Sequence, residues 1–74
     1  MFIFNKKTNT LINTELIKEI KVEYHIYRDG NITAIRCDSN RIAEYKTPER
    51  AQKVFSQIFE ALKCDAKTFE LPED

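Results

Sequence analysis

The sequence predicts an α+β fold: an antiparallel β-meander of four to five strands with one C-terminal amphipathic helix packed across one face. Three observations lead there. Residues 47–63 read TPERAQKVFSQIFEALK, with Ala51, Val54, Phe55, Ile58, Phe59 and Leu62 at spacings of three and four, which puts them on one side of a helix. Residues 19–28 alternate apolar and polar with period two, the mark of a strand buried on one face. The Asp29-Gly30 pair that follows is a hairpin turn signal, because glycine enters positive φ without steric cost.

Phe2, Ile3 and Phe4 form a short apolar strand, and polar residues 5–9 turn the chain back toward Leu11 and Ile12 in a first hairpin. Asn13 and Thr14 mark another turn. Residues 15–18 fit either a helical turn or the entry to the next strand, since Leu16, Ile17 and Ile20 satisfy both periods. In the long strand, Ile20, Val22, Tyr24 and Ile26 share one face and Lys21, Glu23, His25 and Tyr27 the other.

A two-residue loop at Asp29-Gly30 sets Tyr24 opposite Ile35 and Val22 opposite Cys37. It also pairs Glu23 with Arg36 and Lys21 with Asp38, so both faces favour that register. For the next turn, a three-residue loop over 39–41 sets Cys37 opposite Ala43, Ile35 opposite Tyr45 and Arg36 opposite Glu44. One face then holds the apolar set; the other holds the row Glu23, Arg36, Glu44 with Tyr27, Ile32, Ala34 and Ile42 among charges.

The helix start is written into its first residues. Thr47 can cap a first-turn amide, Pro48 suits N1, and Glu49 complements the helix dipole. Its stripe is expected to meet Val22, Tyr24, Ile35, Cys37 and Tyr45, with Phe55 central. No glycine closes the helix, so residues 64–68 read as a connecting loop, and Phe69 and Leu71 as a short extended segment docking back. Residues 1–74 form a single small domain with 72–74 frayed.

At 74 residues the chain is near the lower size for a self-sufficient core, burying about 60% of its unfolded surface. Twelve basic residues balance twelve acidic ones, so no overall field draws it to nucleic acid or an anionic membrane. No apolar run approaches a membrane span, and the short MFIF start is no signal peptide. Cys37 and Cys64 stand alone, without CxxC spacing or a histidine pair, which argues against zinc and for reduced thiols in a cytoplasmic protein.

Nothing in the chain has the spacing of an active site. His25, the single histidine, has no nucleophile or carboxylate at a fixed spacing and reads as a surface residue. An arginine between Glu23 and Glu44 holds both carboxylates ionised, the arrangement of a cross-strand ion ladder and not of a proton-transferring pair. The one glycine is used in a turn, leaving no phosphate loop. No catalytic, cofactor-binding or metal-binding residue is therefore expected.

The half-apolar face, with Tyr27, Ile32, Ala34, Arg36 and Ile42, is the candidate interaction surface. Its expected partner is another protein or a second copy of the chain, through that face or a free edge strand. The alternative, stacking of single-stranded nucleic acid on Tyr27 beside Arg36, is disfavoured by Glu23, Asp38 and Glu44 on the same face.

Leu11-Ile12-Asn13, the alternating strand to Tyr27, the run from Tyr45 to Ala51 with Val54 after it, and the closing Phe69-Glu70-Leu71-Pro72-Glu73 carry a resemblance over most of the chain. In these the chain resembles small cytoplasmic proteins of low-GC Gram-positive bacteria and their prophages. The resemblance implies a bacterial or phage origin and a non-enzymatic accessory role. It carries over no activity, cofactor or site residue.

Overall fold

A computed structural model describes residues 1–73 of the chain. Its elements are β1 (Phe2–Asn5), β2 (Thr10–Asn13), a 3-10 turn (Thr14–Leu16), β3 (Ile20–Tyr27), β4 (Gly30–Cys37), β5 (Asn40–Tyr45), α1 (Pro48–Lys63) and β6 (Thr68–Glu70). The α+β class holds, but the single meander does not. The strands form two three-stranded sheets, ordered β3-β4-β5 and β2-β1-β6. β1 pairs antiparallel with β2 and parallel with β6, so both ends of the chain meet in one sheet.

The 3-10 turn resolves the ambiguity of residues 15–18: the Asn13 side chain accepts from the Glu15 amide and starts a turn too short to bury anything.

Between β3 and β4 the register departs from expectation by an even step, so both strands keep their faces. Val22 lies opposite Ile35, Ile20 opposite Cys37 and Tyr24 opposite Thr33, two residues from the predicted pairing. The loop is Arg28-Asp29, and Gly30 opens β4 at a φ of +136°. This register sets Asp38 against the incoming chain, where its carboxylate accepts from the Lys18 and Glu19 amides at 3.0 to 3.3 Å and its own amide donates to the Glu19 carbonyl.

Between β4 and β5 the loop is Asp38-Ser39, with Asp38 at a φ of 52°, and the residue predicted for the loop appears as a bulge at Ile42 instead. Arg36 faces Arg41, while Ile35 faces Ala43. The bulge turns Ile42 into the core and leaves its carbonyl to the Asn5 side-chain amide at 2.6 Å.

α1 begins as its sequence prescribes. The Thr47 hydroxyl accepts from the Arg50 amide at 3.1 Å, and Pro48 occupies the first turn. Its end needs no glycine: Asp65 adopts a φ of 57°, and the Ala66 and Asp65 amides donate to the Ala61 and Leu62 carbonyls, a Schellman closure.

Ala51, Val54 and Ile58 are buried against Ile35, Cys37 and Tyr45 of the sheet, with Ile3 of β1 and Leu71 completing the core. Phe55 is only partly buried, and Phe59 and Leu62 stay exposed, so the buried stripe is narrower than the apolar one. Tyr24 was expected under the helix; it lies toward the hairpin end of β3 and is 52% exposed.

The C-terminal segment is tied down. The Leu71 amide donates to the Phe4 carbonyl, Tyr45 Oη to the Pro72 carbonyl at 2.8 Å, and Arg50 to the Glu73 carbonyl at 3.1 Å. Of the residues expected to fray, Pro72 and Glu73 each accept a side-chain hydrogen bond, and residue 74 lies outside the described residues.

Thr33 is buried beside Tyr45, and its hydroxyl has no hydrogen-bond partner among the described residues. Leaving such a group unsatisfied costs about 1–3 kcal/mol. Thr33→Val keeps the shape and is expected to gain about 1 kcal/mol, read as a rise of roughly 4–8 °C in melting temperature.

Candidate interaction surface

Two surfaces of the larger sheet are candidates: its polar face and the free edge of β3. On the polar face a network of side chains spans all three strands. Glu23 is its hub, accepting from Arg36 Nε at 2.8 Å and lying 3.3 Å from Lys21 Nζ and 3.2 Å from His25 Nε2. Arg36 also donates to the Ser39 carbonyl. Beside this, Arg41 donates to Glu44 at 2.6 Å and to Tyr27 Oη at 3.4 Å, with its Nη2 3.3 Å from His25 Nε2. The His25 and Tyr27 rings stack at 6.0 Å.

One histidine nitrogen thus faces both a carboxylate and a guanidinium. It can donate to Glu23 or accept from Arg41, and its proton decides which.

Partial desolvation raises the Glu23 carboxyl, but hydrogen bonds from Lys21 and Arg36 outweigh it and hold the group below its usual 4.5. A carboxylate favoured in the folded state stabilises the fold above that value and loses the contribution as pH falls through the folded one. Glu23→Gln is therefore expected to flatten the acid limb of a stability–pH curve, measured by urea unfolding between pH 7 and pH 3. Arg41 is held still more basic, chiefly by Glu44 and then by Tyr27.

The five residues of the expected surface are not all on it. Tyr27 is exposed, and Ile32 and Arg36 are half-buried on the polar face. Ala34 shares that face but is 0% exposed, the smallest side chain of the central strand amid long charged neighbours. Ile42 has left it for the core through the bulge. The row Glu23, Arg36, Glu44 is likewise divided: Glu23 takes Arg36 diagonally, and Glu44 takes Arg41.

For the second surface, the sequence predicts only a free edge strand, without saying which. β3 has β4 on one side and no strand on the other, whereas the outer edge of β5 is met by Asn5 at the bulge. Along β3, Tyr24 and Ile26 are 52% and 76% exposed on the helix side of the sheet. Next to the start of β3, a groove of about 280 Å³ runs between Ile17 and Ile20 on one wall and Phe55, Phe59 and Leu62 on the other. Phe59 and Leu62 are 59% and 42% exposed. The alternation through Ile26 and the six-residue stripe of α1 were legible signals for this surface, but they do not reveal how far the helix reaches.

Cys37 is buried, and its thiol is pushed up to about 11 by burial and by the neighbouring Asp38 carboxylate; Cys64 is exposed. Among the described residues, no three of His, Cys, Asp and Glu are grouped to hold a metal ion, and no helix is long and apolar enough to cross a membrane. No protein-family model, curated protein or solved structure matches the chain.

Proposed function

We propose that the chain is a non-enzymatic accessory protein that acts by binding another protein or a second copy of itself. Following the resemblance in its sequence, the same proposal makes it a cytoplasmic protein of bacterial or phage origin. The observation that supports the binding reading most is the open eight-residue edge of β3 with Tyr24, Ile26, Phe59 and Leu62 uncovered near it. An unpaired strand edge offers a row of backbone donors and acceptors, and adjoining apolar groups add the affinity that backbone pairing alone lacks.

Binding of single-stranded nucleic acid is the weaker reading. Arg36 is engaged by Glu23 and the Ser39 carbonyl and Arg41 by Glu44, so a phosphate would have to displace carboxylates already in place.

The test is retention of proteins from a bacterial lysate by the immobilised chain, compared with a variant carrying Ile26→Lys and Phe59→Lys. Partners, or the chain itself, held by the natural sequence and lost from the variant support the reading. Equal retention by both, together with a strictly monomeric chain, removes it.

A further inference from the structure

We propose that the free edge of β3 pairs with β3 of a second copy, antiparallel about a two-fold axis at Tyr24, joining the two larger sheets into one. This deepens the binding reading above by naming the partner.

The backbone decides which groups are available. The two-residue turn at Arg28-Asp29 and the bond from the Asp38 amide to the Glu19 carbonyl place the odd-numbered residues of β3 in hydrogen-bonded pairs with β4. The N–H and C=O groups of Ile20, Val22, Tyr24 and Ile26 therefore point away from the sheet. These same residues carry side chains on the helix side. A second copy that keeps both helices on one side of the joined sheet must set even residues opposite even ones.

Registers centred on Val22, Glu23, Tyr24 and His25 all do this; the one at His25 keeps only residues 23–27 of both copies within β3, and side chains separate the others. An axis at Glu23 sets that carboxylate against its own copy, which is unfavourable. An axis at Val22 drives Ile26 past the strand to Lys18, whose amide is already bonded to Asp38. An axis at Tyr24 keeps residues 21–27 of both copies within β3. It pairs Tyr24 with Tyr24 and Val22 with Ile26 on the helix side, and Glu23 with His25 and Lys21 with Tyr27 on the other. Like charges do not meet, and the most exposed apolar side chain of the strand, Ile26, gains an aliphatic neighbour.

The arrangement also closes. A two-fold contact uses the same patch on both copies, and the opposite edge of the sheet is obstructed at Ile42 by Asn5, so assembly stops at two chains.

Light scattering of the purified chain should report twice the 8.7 kDa of one copy at tens of micromolar. Ile26→Lys, at an exposed position that costs the single copy little, should weaken association by at least about tenfold. Register is read by cysteine pairing in a Cys64→Ser background. Directly opposed hydrogen-bonded residues have Cα atoms about 5.5 Å apart, within disulfide reach. Tyr24→Cys should thus cross-link under mild oxidation, and Glu23→Cys and Ile26→Cys should not.

A chain that stays monomeric at millimolar concentration, a dimer indifferent to Ile26→Lys, or cross-linking through position 23 or 26 in preference to 24 overturns the proposal. A monomer that still retains a lysate protein, lost on Ile26→Lys, overturns this pairing while leaving the broader binding reading standing.

Discussion

Replacing Ile35 by alanine is expected to cost about 3–5 kcal/mol, near the top of the range for a buried aliphatic residue. Ile35 sits on the central strand of its sheet, opposite Val22 on one side and Ala43 on the other, and is fully buried in the cluster that joins α1, Ile3 of β1 and Leu71. Its surroundings come from every layer of the fold, so none can move in to fill the space without disturbing another. A chain of this length has a total stability of about 4–11 kcal/mol, which puts the variant near its limit. Urea unfolding at one fixed chain concentration reads the effect. Phe55→Ala, which the helical periodicity alone marks as central, is expected to cost less than Ile35→Ala, under about 3 kcal/mol, because that ring is only partly buried.

Deleting residues 68–74 should have an effect at least as large. The deletion removes β6, the parallel partner of β1, together with the buried Leu71. It also takes away the Pro72 carbonyl that accepts from the Tyr45 hydroxyl. Full burial of one leucine is itself worth about 1.5–3 kcal/mol. β1 would keep only the four-residue β2 beside it, and a two-stranded ribbon is marginal at best. The expected outcome is loss of cooperative thermal unfolding and of dispersed amide resonances. A truncated chain that melts cooperatively near the temperature of the full one would show that the smaller sheet is dispensable.

What the sequence made legible follows from how local each signal is. The cap of α1 depends on Thr47, Pro48 and Glu49 alone, and it forms as read. Strand faces depend on a period of two and survive the β3–β4 register change, which is an even step, but not the β4–β5 bulge, which moves Ile42 to the other face. The register itself rests on small differences among cross-strand pairs. A carboxylate that caps two amides, as Asp38 does, outweighs the ion pair with Lys21 that the pattern suggested. The Ile42 bulge is invisible to periodicity, since an extra residue can be absorbed in a loop or in a strand with the same length of chain. The second choice is rewarded by burial of Ile42 and by the Asn5 side chain, distant in sequence. The parallel pairing of β1 with β6 joins the two ends of the chain and has no local signature at all.

The interaction surface divides along the same line. Tyr27, Ile32 and Arg36 reach the polar face because alternation alone puts them there. Ala34 and Ile42 are lost to effects that alternation does not contain: cover by longer neighbours and a bulge. Alternation puts Tyr24 and Ile26 on the helix side but does not show that α1 leaves both uncovered.

β3 is a strand with one edge paired to β4 and the other open, and amide hydrogen exchange resolved by residue tests whether a second copy covers that open edge. The amides of Lys21, Glu23 and His25 should be protected at every chain concentration, since they face β4. Those of Val22, Tyr24 and Ile26 should exchange freely in dilute solution and become protected as concentration rises through the range in which the chain dimerises. Even-numbered amides that stay unprotected at the highest concentration, or a strand in which odd and even amides are equally slow when dilute, would contradict it.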